Sequence, residues 1–282
     1  MIRVALLSSD EPHARYLEAL LAQRFDVRCV VVERGAAKRR RLLTRRRYRD
    51  WTAGLYHLAR RRLLSRTAYR ARYFALAPGA SPATCGHTLT DDINAPIVAE
   101  RLRRAKPDVT VVLNTSIIRT EVLRAAGDTV LNIHGGYLPD YRGRQTMFFP
   151  LYENRLDRLG STIHFVTEKL DAGDIVEVVP VPVRDSDNDE TLYCRAERRA
   201  IHRLCELLDR LAEGHSLPRA PQDGSGSVYR DRDRTPRHEL AVFLKRTLTK
   251  GGLANRPLTK GPLTKGPLAK RSLAKLILAA CR

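Results

Sequence analysis

The run Val130-Leu-Asn-Ile-His-Gly-Gly-Tyr-Leu-Pro-Asp-Tyr-Arg-Gly143 decides how this chain reads. Val130 to His134 has the apolar weight of a strand end. Side chains repeat with period 2 along a strand, so Asn132 and His134 point the same way. Gly135 and Gly136 then leave room for a turn close to a bound molecule. A carboxylate, Asp171 in Leu170-Asp-Ala-Gly-Asp-Ile175, follows 28 positions after Gly143. Each signal alone has a plain alternative, a turn with a satisfied histidine or a loop tolerant of unusual dihedrals. Together they gather an amide, an imidazole and a carboxylate.

Outward from this run the pattern alternates. Ile2 to Leu7 reads as a strand, and Glu11 to Gln23 as a helix with Ser9 or Asp10 as N-cap and Pro12 in its first turn. Val27 to Val32 reads as a strand, Ala95 to Ala105 as a helix, Val109 to Leu113 as a strand and Thr120 to Ala126 as a helix. Beyond the site, Thr162 to Val166 and Val176 to Val183 read as strands. Asp189 to Gly214 reads as a long helix with Leu192, Ala196, Ala200, Leu204, Leu207 and Leu211 on one face. Asp187-Asn-Asp-Glu-Thr191 supplies its cap and acidic first turn. The expectation is an α/β fold: a doubly wound, mostly parallel Rossmann-like sheet with helices on both faces, binding ligands beyond the carboxyl ends of its strands.

Three further segments carry a family likeness. They are Pro107-Asp-Val-Thr-Val-Val-Leu-Asn-Thr-Ser-Ile-Ile118, Leu138-Pro-Asp-Tyr-Arg-Gly143 and Gly160-Ser-Thr-Ile-His-Phe-Val-Thr-Glu-Lys-Leu-Asp171. With the Asn-x-His pair, their order and spacing resemble the catalytic domain of the folate-dependent formyltransferases. The resemblance implies an enzyme that moves a formyl group from 10-formyltetrahydrofolate to an amine. It implies that Asn132 donates to the developing oxyanion, that His134 adds to that stabilisation, and that Asp171 orients the imidazole and an ordered water and relays the proton off the nitrogen. Asp174 is the nearest rival for the acid. The implied cofactor residues are Ser116, Ile117 and Ile118, and Thr167, Glu168, Lys169, Leu170 and Asp171, acting mainly through backbone groups. The expected substrate pocket is Gly135, Gly136, Tyr137, Arg142, Gln145 and Phe148, with Gln145 to Tyr152 as an aromatic wall.

The chain departs from the family in informative places. Gly135-Gly136-Tyr137 replaces the commoner Pro-Ser-Leu, which looks most like the branch of sugar-amine and specialised-metabolite N-formyltransferases. After the first strand stands Ser8-Ser-Asp-Glu-Pro-His13, an acidic turn and a poor anion site, where glycinamide-ribonucleotide enzymes have a glycine-rich phosphate turn. The expected acceptor is therefore a small amine, an aminosugar nucleotide or a peptide or antibiotic precursor. The alternatives are a methionyl-tRNA formyltransferase, a glycinamide-ribonucleotide-type enzyme, and a catalytically silent scaffold binding membrane or nucleic acid.

The net charge of +20 over 282 residues is confined to two places. Arg34 to Arg72 holds fifteen Lys or Arg against Asp50 alone, and Lys245 to Arg282 holds ten against no acid, so the remainder is slightly acidic. The expected organisation is a catalytic domain over 1–220 containing an arginine-rich helical insertion at 34–75, a linker over 221–245 and a disordered basic tail over 246–282. In the insertion, Trp51, Leu55, Leu58, Ala59 and Leu63 fall in helical register. Its charges are expected to lie outside the strand ends, with a solvated basic face. The tail repeats a five-residue unit, as in Gly261-Pro-Leu-Thr-Lys265, that suits neither helix nor sheet. The five cysteines lack metal-ligand spacing, so no metal and no disulfide framework is expected. No apolar run reaches the roughly 18 residues of a spanning helix, and Met1 to Ser9 is unlike a signal peptide. The chain is read as cytoplasmic, with a homodimer and weak contacts of its basic segments to anionic membrane or nucleic acid as partner expectations.

Overall fold

The computed structural model describes residues 1–77, 83 and 85–248. In chain order the elements are β1 (Arg3–Ser9), α1 (Pro12–Arg24), β2 (Asp26–Glu33), α2 (Gly35–Thr44), α3 (Tyr48–Leu63), α4 (Arg66–Tyr73), β3 (His87–Thr90), α5 (Pro96–Ala105), β4 (Val109–Leu113), α6 (Thr120–Ala125), β5 (Val130–His134), β6 (Tyr141–Gly143), α7 (Phe148–Glu153), β7 (Gly160–Phe165), β8 (Ile175–Pro180), α8 (Asp189–Ala212), β9 (Ser227–Tyr229) and α9 (Pro236–Leu248). Seven strands form one sheet in the order β3-β2-β1-β4-β5-β7-β8. The first five run parallel, and β7 and β8 are antiparallel additions.

Period-2 alternation sorts β1 between two layers. Val4 and Leu6 pack with Leu17 and Leu21 of α1 and Leu204 and Leu208 of α8. Ala5 and Leu7 face the other way, onto Val98 and Leu102 of α5 and Val122 of α6. Because both faces are covered, β4 is buried at every position, and its Val-Thr-Val-Val-Leu sequence is nearly all apolar for that reason. The strand order reverses between β1 and β4, which opens a crevice at the carboxyl ends of the central strands.

Helix α8 closes the first layer. Leu192, Ala196, Ala200, Leu204 and Leu207 are buried, and Leu211 is partly so. Asn188 caps it by accepting from the amides of Glu190 (2.9 Å) and Thr191 (3.2 Å), while the Thr191 hydroxyl oxygen accepts from the Asn188 amide (3.0 Å). The cap expected for α1 is different. Glu11 holds that position without a side-chain bond to the helix amides, and Asp10 instead accepts from Gly35 N at the start of α2 (3.3 Å).

The arginine-rich insertion forms α2, α3 and α4, and ion pairs staple it to the sheet domain. Arg61 and Arg70 hold Glu11 (3.0 and 3.3 Å), Arg70 also holds Glu190 (2.7 Å), and Arg60 and Arg66 converge on Asp189 (3.4 and 2.6 Å). Burial alone would raise the Asp189 carboxyl, but Arg234, Arg66 and Arg60 hold it well below the usual carboxylate range. The solvated face expected for this segment is thus in part an internal one.

Residues 221–245, read as a linker, hold ordered structure. They contain β9, a 3-10 turn at Asp231–Asp233 and most of α9. β9 pairs with β6, and Tyr141, Phe148, Phe149, Tyr152, Tyr229 and Val242 share an aromatic cluster. Proposals for the repeat tail concern residues beyond 248, which lie outside the described residues. No helix among the described residues is long and apolar enough to cross a membrane.

Candidate active site

Asn132 and His134 stand at the carboxyl end of β5. The antiparallel register sets His164 of β7 opposite Asn132 and Thr162 opposite His134. The Thr162 hydroxyl donates to Gly136 O (2.8 Å) and accepts from Leu138 N (3.1 Å), which fixes the turn that leaves β5. His134 donates from Nε2 to Tyr141 O (2.8 Å), so its Nδ1 is turned towards Asp171, 3.5 Å from Oδ2. Asp171 also accepts from Gly143 N (2.8 Å). It sits at φ +47°, and Gln222 holds that backbone by donating to Asp171 O (3.2 Å) and Gly173 O (2.5 Å). Gly173 is required there: a Cβ would lie 1.9 Å from Phe165 O.

His164 joins the group, although its residue type gave no separate prompt. Its Nδ1–H donates to Phe165 O (2.8 Å), leaving Nε2 to accept from the Asn132 amide nitrogen (2.9 Å). Burial pushes the His164 imidazole down to about 4, against the opposing pull of Asp171 3.8 Å away. A neutral His164 therefore aims the Asn132 amide and leaves its second N–H free for an oxygen in the crevice. The available signal was period 2 again: Thr162 and His164 are polar on alternate positions of a strand that is buried throughout.

The two glycines have a reason other than room for a ligand. A Cβ on Gly135 would lie 2.7 Å from the Tyr193 ring and 2.8 Å from Glu197 Oε1, and one on Gly136 would lie 2.6 Å from Thr146 Cβ. Packing against α8 and Thr146 demands them. Other expected pocket residues are likewise engaged in structure. Tyr137 lies under the Arg158 guanidinium. Arg142 donates to Gly224 O (3.0 Å) and Gly226 O (2.6 Å), and Gln145 bonds Asp231 and Arg234. Phe148 is buried beneath Arg234, so the aromatic wall is the docking face of the C-terminal segment. Asp174, the rival acid, points to Arg219 (3.7 Å).

The expected cofactor residues form two facing loops. Thr120 bonds Glu168 across them, and Ile117 (53%) and Leu170 (37%) keep their apolar side chains exposed. Ile118 is buried. Part of the expected backbone set is already committed: Ser116 N donates to Glu33 (2.7 Å), and Ile117 O accepts from Asn94 (2.9 Å). Thr167 bonds Lys169 O (3.3 Å), whereas the amides of Glu168, Lys169 and Leu170 have no backbone partner among the described residues. The insertion also reaches this side, since Arg41 binds Glu33 and Asp92 and donates to Ser116 Oγ (3.2 Å). Its charges are therefore not all outside the strand ends. On the β1 side, burial alone would raise the Glu11 carboxyl, but the Arg61 hydrogen bond and the Arg70 charge bring it to about 2. Among the described residues no cluster of three or more His, Cys, Asp or Glu could hold a metal ion.

An amide donor, an imidazole and a carboxylate at one strand end form a constellation suited to acyl transfer to an amine. Residues 90–208, which carry all of it, match the formyl transferase family. Solved structures share the fold. A sugar N-formyltransferase from a Shewanella species is 18% identical, with TM-score 0.54 and coverage of 86% of this chain and 87% of that one. A 4-N formyltransferase from Francisella tularensis is 14% identical, with TM-score 0.53 and coverage of 87% of each chain. A glycinamide ribonucleotide transformylase from Symbiobacterium toebii is 22% identical, with TM-score 0.53 and coverage of 79% and 93%.

Proposed function

We propose that this protein transfers a formyl group from 10-formyltetrahydrofolate to the primary amine of a small acceptor, an aminosugar nucleotide or a peptide or antibiotic precursor. The convergence of Asn132, His134 and Asp171 at the end of β5, inside the stretch that matches the formyl transferase family, carries the reading. The loops that hold Ile117 and Leu170 fit the donor: they offer apolar walls, and the amides of 168–170, which have no backbone partner among the described residues, to a flat heterocycle with polar edges. When bound, the donor supplies an activated formyl carbon. Asn132 gives its free N–H to the oxygen that gains charge as the amine attacks, and His134 lies beside it. Asp171, fixed by Gly143 N and Gln222, keeps the His134 imidazole oriented and takes part in removing the proton from the attacking nitrogen.

The small-acceptor reading is supported by the fold shared with sugar N-formyltransferases and by the Gly135-Gly136-Tyr137 turn. Its test is a panel of aminosugar nucleotides and amine-bearing peptides incubated with 10-formyltetrahydrofolate, scored by mass spectrometry for a product heavier by one formyl group. Formylation of none of them, with initiator tRNA formylated instead, would replace this reading.

A further inference from the structure

A cleft of about 490 Å³ opens where the end of α4, the outward face of α8 and the edge strand β8 meet. Its size falls within the roughly 300 to 1000 Å³ of small-molecule sites. Four arginines and His202 border it, against two glutamates. Helical spacing brings them together, since Arg195, Arg198, Arg199, His202 and Arg203 recur three or four positions apart along α8. The acids are shared unevenly. Arg203 takes Glu177 at 2.7 and 2.8 Å and Glu206 at 2.6 Å, so both glutamates of the cleft are held by one side chain. Arg195 is turned to Asp187 (2.6 Å) and Pro182 O (2.6 Å). Arg198 and Arg199 are left with no acidic partner among the described residues.

Arg198 is held in one orientation. Its Nε donates to Tyr16 Oη (3.2 Å) and its Nη1 to Tyr73 O (3.4 Å), and its guanidinium lies over the Tyr16 and Tyr73 rings, 5.0 and 5.5 Å from their centres. Its Nη2 has no partner among the described residues. With the Arg198 hydrogen on Tyr16 Oη, the tyrosine hydroxyl gives its own to His202 Nε2 (2.9 Å), and the imidazole proton then sits on Nδ1. Burial and the Arg198 charge hold that imidazole below its ordinary value, which favours the neutral ring. Arg199 is exposed beside it. An oriented guanidinium with N–H groups to spare, a second guanidinium and an imidazole N–H suit the oxygens of a phosphate. Fixing Arg198 before binding removes part of the ordering cost.

We propose that this cleft binds the phosphate group of a small molecule, with Arg198 and Arg199 as its principal ligands, His202 as a third donor and Tyr73 and Pro180 as apolar walls. The site is separate from the catalytic one, because none of these side chains bonds Asn132, His134 or Asp171. It stands independently of the formyl-transfer reading.

The probe is inorganic pyrophosphate, titrated calorimetrically into the full chain at low salt. Affinity should fall about tenfold in Arg199→Gln, whose side chain is exposed and carries no fold contact, and at least as far in Arg198→Gln, as loss of a charge-assisted contact predicts. A chain with Arg45, Arg46 and Arg47 changed to Gln loses more charge elsewhere and should bind as the wild type does. Phenylglyoxal modification of the wild-type protein, read by peptide mass spectrometry, should show Arg198 and Arg199 protected by pyrophosphate. Absence of binding by the wild type, equal affinity in Arg199→Gln, an equal loss in the control triple variant, or modification at the same rate with and without pyrophosphate would overturn the site. Sedimentation with vesicles of phosphatidic acid and phosphatidylcholine forms the second arm. Vesicle binding abolished by Arg199→Gln, without pyrophosphate binding, would overturn the small-molecule site in favour of a lipid headgroup.

Discussion

Glu197 offers the sharpest physical prediction. It is 1% exposed on the inner face of α8, behind the catalytic turn. Its Oε1 accepts from Ser161 Oγ (3.2 Å), and its Oε2 has no partner. Burial raises this carboxyl from 4.5 to about 8, with the Ser161 hydrogen bond and Arg70 opposing. The folded value lies above the unfolded one, so native Glu197 keeps a proton that the unfolded chain has released. Its contribution to stability is fully present below about pH 4.5 and is lost as the pH rises through about 8. At about 1.4 kcal/mol per pH unit, the loss approaches 4 kcal/mol by about pH 7.5, an upper bound for a buried group. Glu197→Gln removes the titration and keeps the shape. It leaves an amide short of a partner, an offset of about 1 to 3 kcal/mol that does not vary with pH. Urea unfolding of both proteins at about pH 5 and about pH 7.5 cancels that offset. The variant should gain about 2 to 4 kcal/mol on the wild type between the two conditions. Parallel pH profiles would show that native Glu197 is ionised and would refute the reasoning.

Other outcomes follow from the same contacts. Burial pushes His13 down to about 3 and His164 to about 4, from 6.5. The unfolded chain therefore binds more protons in that window, and in the Glu197→Gln background urea midpoints should fall steadily as the pH drops from about 6.5 to about 4; a flat profile there would contradict both neutral histidines. A chain ended before Ser227 loses the β6–β9 pairing and the Asp231 contacts to Arg144 and Gln145. It should lose activity about 100-fold and melt lower, whereas one ended after Leu248 keeps those contacts and should retain turnover; equal behaviour of the two would remove the C-terminal segment from the account. Arg45, Arg46 and Arg47 lie at the exposed α2–α3 turn, with Asp50 as the acidic partner of Arg47. Changing all three to Gln should alter turnover less than about tenfold and leave it weakly salt-dependent, and a collapse with initiator tRNA as acceptor would instead indicate an RNA grip.

Local patterns told most of the fold. Strands such as Val109 to Leu113 and the α8 face from Leu192 to Leu207 are dictated by neighbours in sequence, and period 2 put Asn132 and His134 on one strand end. Contacts between distant segments were hidden. Nothing local marks Ser227 to Tyr229 as a strand, because its three residues acquire that state only by pairing with Tyr141 to Gly143. The insertion read as solvated because Arg60, Arg61, Arg66 and Arg70 meet acids 50 to 179 residues away. Gly135 and Gly136 looked like space for a ligand, since a glycine looks alike whether a substrate or Tyr193 occupies the missing Cβ.

The central claim is that Asn132, His134 and Asp171 transfer a formyl group, and Asp171→Asn tests it most directly because the change removes a charge while keeping a side chain that Gly143 N can still bond. Turnover would be followed as tetrahydrofolate release in the presence of the accepted amine, with donor affinity measured in parallel. The account predicts unchanged donor affinity and turnover lower by about 100-fold or more, with Asp174→Asn much milder. Near wild-type turnover in Asp171→Asn would contradict it.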